Sequence, residues 1–252
     1  MLPFATYDWS LVWDERWQLW HGLTTALECA FLALILSTFV GLLLALARMS
    51  KPPVTWLAAI YINVFRGIPA LVSVLWVYFG LSLLLGFNFT VLWAGVIALT
   101  LLYSAFIAEV YRAALQSIPK GQGEAGLALG MRPTRVFLRV ILPQATKVAI
   151  PNLGSMFIGM VKDTSVFTVI GMIEIVHVTQ DTNSTTFQPF VLYTAAAGVY
   201  VVAAFVIDFL FRAIEKALTT PPAGHMANML KRRRTSRVEL VVKRVEGLSG
   251  AR

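Results

Sequence analysis

Long runs of residues without charged side chains are the feature that most restricts how this chain can fold. A transmembrane helix needs about 20 predominantly apolar residues to cross a hydrocarbon core of roughly 30 Å. Hydrophobic residues make up 58% of the chain and charged residues 13%, a balance far from that of a soluble protein. The sequence therefore predicts an all-α integral membrane protein with five transmembrane helices. Their cores are residues 22–47, 68–85, 89–108, 148–173 and 189–207.

Few ionisable residues fall inside these runs. The first run contains Glu28, and the fourth contains the adjacent pair Lys162 and Asp163. Ionisable groups at membrane depth cost roughly 2.5–3.5 kcal/mol each on insertion scales, so they normally face a cavity or a charged partner. We interpret Glu28 as structural, whereas the Lys162–Asp163 pair is a candidate functional site.

Lysine and arginine residues are distributed unevenly between the runs. They are concentrated in residues 48–66, in the loop 117–147 and after residue 211, whereas residues 86–88 and 174–188 contain none. Short cytoplasmic loops are enriched in these residues. We therefore predict a multi-pass protein of the cell inner membrane with its N-terminus outside and both the loop 117–147 and the C-terminus in the cytoplasm.

Two segments at the edges of the runs have more than one interpretation. Trp9, Trp13, Trp17 and Trp20 are spaced by four, four and three residues, which places them on one face of a helix. Residues 1–21 are then either an amphipathic segment in the outer membrane interface or the aromatic belt of the first span. Residues 54–65 are either a cytoplasmic interfacial elbow or the start of a longer second helix.

Composition excludes several other classes of function. One cysteine and three histidines far apart in sequence provide no disulfide and no evident metal site. The net charge of +8 comes from basic residues between apolar spans, which is unlike a nucleic-acid-binding face. The chain has no G-x-x-x-x-G-K-[ST] phosphate loop, so we expect no ATPase site and no catalytic residues of its own.

The loop 117–147 is too long to be a simple connector, because most connections take about 4–6 residues. Its sequence predicts two short helices, the first at residues 122–129 and the second from Pro133, a residue suited to the first helical position. Glu124 is expected in the first turn of the earlier helix, and Gly130 is expected to end that helix in the left-handed conformation.

The same loop contains a spaced motif. Glu124-Ala125-Gly126 is followed after three residues by Gly130, and after nine more by Val140-Ile141-Leu142-Pro143. This pattern resembles the EAA loop of ABC-importer permeases, which reads EAA, three residues, G, nine residues, I-x-L-P. Further matches resemble the polar amino-acid permeases of the histidine, glutamine, glutamate, arginine and opine group. These matches include Arg66-Gly67, Ala108-Glu109, Ile118-Pro119 and Lys162-Asp163-Thr164-Ser165.

The resemblance covers about residues 22–218 and implies the type I ABC-importer permease fold, with 219–252 left as a basic cytoplasmic tail. It further implies that the loop 117–147 docks as a coupling helix on ATPase subunits, which would carry ATP and Mg. The other implied partners are a second copy or a sister permease and an external amino-acid-binding protein. The implied function is translocation of polar amino acids, driven by ATP hydrolysis on a separate subunit.

Two sets of residues are candidates for this function. We assign ATPase coupling to Glu124, Ala125, Gly126 and Gly130. A substrate pathway would include Glu109, Lys162, Asp163, Thr164 and Ser165, because a broken helix at these positions can meet both charges of an amino acid. The alternative for Lys162 and Asp163 is a structural role, for example an ion pair between Lys162 and Glu109.

A self-sufficient secondary transporter or channel for small polar solutes is the competing function. Such proteins usually show an internal hydropathy repeat, and none is evident in these five runs. An intramembrane enzyme would need a convergent nucleophile or metal set, which the sequence does not supply.

Overall fold

The structure is a computed structural model that describes residues 7–219. The chain divides into two compact units, Met1–Arg212 and Ala213–Arg252. All sites discussed below lie in the first unit. Of the second unit, only residues 213–219 are described, and they form the C-terminal end of the last helix. Residues 1–6 of the tryptophan segment, and the basic tail beyond Thr219, lie outside the described residues.

Helices account for all regular structure between residues 7 and 219, which confirms the all-α prediction. Two π-helical segments, Trp76–Leu81 and Phe137–Ile141, and one 3-10 helix, Thr164–Ile170, join consecutive α-helices. The α-helices in chain order are α1 Ser10–Asp14, α2 Arg16–Arg48, α3 Val54–Gly67, α4 Ala70–Leu75, α5 Ser82–Leu85, α6 Val91–Ser117, α7 Lys120–Ala128, α8 Pro133–Val136, α9 Leu142–Asp163, α10 Ile175–Thr186 and α11 Pro189–Thr219.

Four helical segments in the described range are long and apolar enough to cross a membrane: Arg16–Arg48, Val91–Ser117, Pro133–Ile170 and Pro189–Leu218. The predicted span at residues 68–85 is the remaining one. It counts as a fifth crossing only if α3 and the helical segment Ala70–Leu85, which meet at 108°, form one bent span. Ile68 and Pro69 have extended backbones at this bend, with ψ of 128° and 146°. A residue before proline is disfavoured in the α region, so α3 is a separate helix rather than the start of a longer one.

The prediction of a second short helix in the loop 117–147 is wrong. Pro133 does occupy the first helical position, but the helical backbone continues from there through the π-helical segment to Asp163. The π-helical segment ends two residues before Pro143, whose missing N–H leaves a gap in a regular α-helical ladder. The wider turn lets the helix pass this residue instead of ending, so the fourth span starts much earlier than hydropathy suggested.

Helix α2 packs against α6 through small side chains. Gly41 has so little space that a Cβ added there would lie 2.8 Å from Ile107 Cγ2 and 3.0 Å from the Ser104 carbonyl oxygen. Helices in a bilayer gain little from hydrophobic burial, so close backbone approach through small residues supplies the packing energy. The small buried residues of α2 recur every three or four positions: Ala26, Ala30, Ala33, Ser37, Gly41 and Ala45.

Glu174 is a fully buried carboxylic acid in the segment between the last two spanning runs. It contacts three helices, α2, α10 and α11. It caps α10 by accepting the His177 backbone N–H at 2.8 Å, and it accepts the Tyr200 hydroxyl of α11 at 2.5 Å. On the other side, a Cβ at Gly22 of α2 would lie 2.8 Å from the Glu174 carbonyl carbon. Burial raises the pKa of Glu174 above its ordinary value, although the hydrogen bonds from Tyr200 and from the backbone oppose this shift.

The four tryptophans at the N-terminal end are exposed, and Trp13 is 70% accessible. Glu15 interrupts the helix between α1 and α2, and α2 begins at Arg16. Trp17 and Trp20 therefore belong to the first turns of the spanning helix, whereas Trp9 and Trp13 lie at or within α1. That these rings lie in the membrane interface stays a prediction.

The raised pKa of Glu174 predicts a pH-dependent effect of Glu174→Gln. Glutamine keeps an acceptor but cannot ionise, so it resembles the protonated acid. The free energy of unfolding of the wild type should equal that of the variant below the unfolded pKa of glutamate. It should fall relative to the variant as pH rises from there through the folded pKa. Thermal unfolding of detergent-purified protein over a pH series measures this difference. Asp181→Asn, an exposed position on α10, is the control, and a difference independent of pH would contradict the prediction.

Candidate functional site

The EAA-like motif lies on α7, which runs from Lys120 to Ala128. The helix starts immediately after Pro119, two residues earlier than predicted, because Pro119 is extended (ψ 132°) and the helical backbone begins at the next residue. Glu124 is consequently in the second turn rather than the first. The side chains of Glu124 and Ala125 are both exposed, so neither is used to pack α7 on its own chain.

Gly126 is the residue through which α7 contacts the following helix. It is buried, and a Cβ at this position would lie 2.8 Å from Val136 Cγ2 and 3.1 Å from Val136 Cγ1. Val136, at the end of α8, is itself 3% exposed. The departure from the EAA pattern therefore has a packing reason, since an alanine methyl and the Val136 side chain compete for the same space.

Gly130 ends α7 as the sequence predicts. Its φ of +76° is in the left-handed region, where glycine has no Cβ penalty. Its N–H donates to the Leu127 carbonyl at 2.9 Å, and the Met131 N–H donates to the Gly126 carbonyl at 3.1 Å. This pair of bonds is the Schellman motif, which satisfies two carbonyls at the helix end and reverses the chain toward Pro133.

An apolar patch follows from this geometry. Leu127 and Leu129 are 50% and 82% exposed, next to the exposed Glu124. Exposed apolar side chains that lie close together can form a docking surface for another protein.

Asp163, the last residue of α9, lines a groove of about 420 Å³ that we call the Asp163 groove. The Tyr103 hydroxyl of α6 donates to its carboxylate at 2.9 Å. Among the residues 7–219 that line the groove, Asp163 is the only one with an ionisable carboxylic acid or a basic side chain. The other residues that line the groove are Ile68, Ala70, Leu102, Phe106, Ser155, Met156 and Gly159.

The structure separates the four adjacent candidates Lys162, Asp163, Thr164 and Ser165. Helix α9 ends at Asp163 and a 3-10 helix starts at Thr164, so the predicted break in helix geometry is present. Lys162 is exposed and does not line the groove with Asp163. Thr164 is buried and donates its hydroxyl to the Val161 carbonyl at 2.7 Å, and Ser165 is half-buried.

Glu109 lines a second groove of about 420 Å³, which we call the Glu109 groove, together with Arg66 and Asn152. Its carboxylate accepts two hydrogen bonds from Arg112, at 2.7 and 3.0 Å. The structural alternative in which Glu109 pairs with Lys162 is therefore wrong. An arginine three residues along the same helix reaches Glu109 without any other helix having to approach.

Phe106 and Met156 line both grooves. The two grooves therefore follow one side of α6 and α9, from Asp163 to Glu109, with these two apolar side chains between them. The Arg66 guanidinium lies 5.5 Å from the centre of the Phe106 ring. None of Tyr103, Phe106, Met156 and Asn152 is a candidate in the sequence analysis, because hydropathy does not reveal which face of a buried helix borders a groove.

Comparison with known proteins assigns the chain to a protein family. Residues 37–220 match the family described as binding-protein-dependent transport system inner membrane component. The chain belongs to this family. As a binding-protein-dependent transport component, it is a membrane-spanning permease subunit and not a self-sufficient transporter or channel. Its location is the inner membrane, which it crosses several times.

Three relatives show how far the similarity extends. The probable amino-acid permease protein YxeN of Bacillus subtilis is 37% identical over 86% of this chain and 98% of its own length. The L-cystine transport system permease protein TcyB of the same organism is 35% identical over 83% and 91%. The arginine ABC transporter permease protein ArtQ of Escherichia coli K12 is 32% identical over 79% and 92%. All three are permease components of amino-acid transport systems by name.

Solved structures agree with this assignment. The crystal structure of an amino acid ABC transporter with histidines is similar with a TM-score of 0.76 at 34% identity, over 84% of this chain and 99% of that one. The inward-facing MetNI methionine ABC transporter is similar with a TM-score of 0.71 at 22% identity, over 82% and 99%. The second similarity concerns the fold, and together they confirm the predicted ABC-importer permease fold.

The contact between Gly126 and Val136 generates a prediction about the packing of α7. Gly126→Ala should loosen α7, because the new methyl overlaps Val136 and overpacking costs about 1–3 kcal/mol. Val136→Ala removes both Val136 methyls, so the double variant should recover. Hydrogen–deuterium exchange of the amides in residues 120–131 measures the effect. Equal exchange rates in the wild type and the single variant would show that this contact does not hold α7.

Proposed function

We propose that this chain is the permease subunit of an ATP-driven importer of polar amino acids. The observation that carries the proposal is the Asp163 carboxylate, which Tyr103 positions in a groove within the membrane-spanning part of the chain. The α-ammonium of an amino acid would offset the desolvation of this carboxylate. The names of YxeN, TcyB and ArtQ, all relatives that handle amino acids, support this substrate class.

The proposed roles of the adjacent candidates differ. Asp163 contacts the substrate, and the 3-10 helix from Thr164 turns the chain so that the carboxylate faces the groove. Ser155, which lines the same groove, offers a hydroxyl for orientation. Glu109 marks the other end of the pathway beyond Phe106 and Met156. Lys162 and Ser165 have no place in the groove lining, and we expect little direct effect from them.

Coupling to ATP hydrolysis is assigned to α7. Glu124, Ala125, Leu127 and Leu129 would contact a cleft of a separate ATPase subunit, which binds ATP and Mg. Gly126 and Gly130 would position the helix, because one permits close contact with Val136 and the other reverses the chain. The exposed leucines support this role, since a docked partner would remove them from water.

The complex proposed here also contains a second permease, either another copy or a sister chain, and an external amino-acid-binding protein. The Asp163 and Glu109 grooves are open on one side of α6 and α9, so a second permease would complete the pathway. The basic loops of the chain support an orientation with α7 in the cytoplasm and the N-terminus outside. Docking of a cytoplasmic ATPase on α7 requires the same orientation.

Gly130→Val should abolish uptake and ATPase docking. A left-handed backbone costs a residue with a Cβ roughly 1–2 kcal/mol, and a β-branched side chain worsens the strain. Apart from the chain neighbours of Gly130, no heavy atom of residues 7–219 lies within 4 Å of a Cβ at this position, so the defect is conformational. Co-purification with the ATPase and uptake in reconstituted vesicles measure it.

Gly130→Asn is the matched control, because asparagine tolerates this conformation, and it should retain most activity. Wild-type ATPase capture and uptake by a Glu124→Lys, Gly130→Val double variant would show that α7 is not the coupling element.

Asp163→Asn should lower amino-acid uptake by roughly 10–100-fold, because a hydrogen bond to a charged group contributes about 1.5–3 kcal/mol and asparagine keeps only the shape. Tyr103→Phe retains the charge and should reduce uptake less. The exposed residue Lys162 provides the control Lys162→Met, which should transport normally. Uptake, protein yield and ATPase capture are measured for each variant. Loss of folded protein in Asp163→Asn, with uptake restored in a Lys162→Met, Asp163→Leu variant, would instead establish a structural role.

A further inference from the structure

A groove of the first unit lies between α2 and α11 and shares no lining residue with the Asp163 and Glu109 grooves. We call it the α2–α11 groove. It has a volume of about 680 Å³, within the roughly 300–1,000 Å³ typical of ligand sites. Its lining is apolar throughout, with Trp20, Leu23 and Leu27 on one wall, Val202 and Val206 on the other, and Phe157 between them. Val202 and Val206 are 62% and 52% exposed, so the groove opens to the surroundings.

The α2–α11 groove runs along the membrane-spanning part of both helices. On α11 it extends from Ala195 to Leu210, which is about 22 Å at 1.5 Å per residue. A hydrocarbon core is about 30 Å thick, so the groove is longer than one leaflet. Gly198 contributes to its width, because a Cβ added there would meet no heavy atom within 4 Å in the described part of the chain, apart from its chain neighbours and the backbone of its own helix.

A basic residue lies one helical turn beyond the groove. Arg16, Trp20, Leu23 and Leu27 are separated by four, three and four residues, which places them on one face of α2. The Arg16 guanidinium lies 4.6 Å from the Trp13 ring centre and 5.7 Å from the Trp17 ring centre, and it donates to the Trp13 carbonyl at 2.5 Å. No ion pair within residues 7–219 involves Arg16.

This combination of groups fits a phospholipid. Tryptophan rings favour the level of the headgroups in a bilayer, and a guanidinium matches a phosphate in charge and geometry. An apolar groove that begins one turn deeper on the same helix face fits an acyl chain of the same molecule. An extended peptide segment would leave its backbone N–H and C=O groups without partners in this lining.

The position of the groove argues against a second permease as its occupant. Phe157 of α9 faces the α2–α11 groove, whereas its neighbours Met156 and Gly159 line the Asp163 groove. The two grooves therefore lie on different sides of α9. A second permease that completes the pathway covers the side of Met156 and Gly159, which leaves the α2–α11 groove facing the bilayer.

We infer that the α2–α11 groove binds one phospholipid from the leaflet at the N-terminal end of α2, with an acyl chain between α2 and α11 and the headgroup phosphate at Arg16. The inference depends on the membrane location of the chain and, for the exclusion of a second permease from the groove, on the proposed pairing of permeases. It is independent of the substrate and of the ATPase.

The test uses the full-length permease, purified with its ATPase partner, stripped with detergent and re-exposed to phosphatidylglycerol vesicles. Native mass spectrometry and phosphorus analysis count the lipid retained. Gly198→Phe fills the groove, and Ala197→Phe places the same side chain one residue away on an exposed position outside the lining. Arg16→Gln removes the guanidinium but leaves the groove open.

We expect about one retained phospholipid for each permease chain in the wild type and in Ala197→Phe. Gly198→Phe should lose it, and Arg16→Gln should retain it roughly tenfold more weakly, since a hydrogen bond to a charged group is removed. Gly198→Leu serves the same purpose if the phenylalanine variant does not assemble. Equal retention in all variants would overturn the inference. So would a change in the number of permease chains in the Gly198→Phe complex, because a second chain would then occupy the groove.

Discussion

The close approach of α2 to α6 is the packing interaction on which the rest of the first unit depends. Lipid tails are as apolar as leucine, so burial alone gives two helices in a bilayer little reason to associate. Gly41 and the alanines of α2 instead let the backbone of α2 come within van der Waals contact of Ser104 and Ile107. With one side of α6 occupied in this way, Tyr103, Phe106 and Glu109 are left to border the grooves, and α9 completes the lining.

Three carboxylates of the chain are stabilised by different means, and the difference follows their positions. Glu109 has an arginine on its own helix, so its partner is fixed by local sequence. Asp163 accepts a hydrogen bond from a tyrosine hydroxyl of another helix and forms no ion pair within residues 7–219. Glu174 is fully buried, its side chain joins α10 and α11, and its backbone packs against Gly22 of α2. Glu109 thus has an ion-pair partner on its own helix, whereas Asp163 has none within residues 7–219, which supports the proposed contact of Asp163 with a charged substrate.

Sequence analysis predicted the features that depend on local chemistry. Gly130 in the left-handed region, Pro133 at a first helical position and the long apolar spans all follow from the residue itself or from its immediate neighbours. Features that depend on the direction of a helix axis or of a side chain were not predicted. Hydropathy averages over a window, so it did not distinguish the bend at Ile68 and Pro69 from a straight span. It also did not show that Lys162 and Asp163, adjacent in sequence, point to different surroundings, because successive residues on a helix differ by about 100°.

The reversal at Gly130 has an evolutionary consequence. Helix α7 is held by its own chain through the Gly126–Val136 contact and the Schellman motif, both of which use backbone atoms or side chains on its inner face. The residues on its outer face, Glu124, Ala125, Leu127 and Leu129, have little part in folding. Under the proposed coupling role of α7, substitutions there would change which partner is recognised while the spans and the grooves keep their geometry. Partner choice and solute choice would then be separable traits in this chain, and each could diverge after gene duplication without loss of the other.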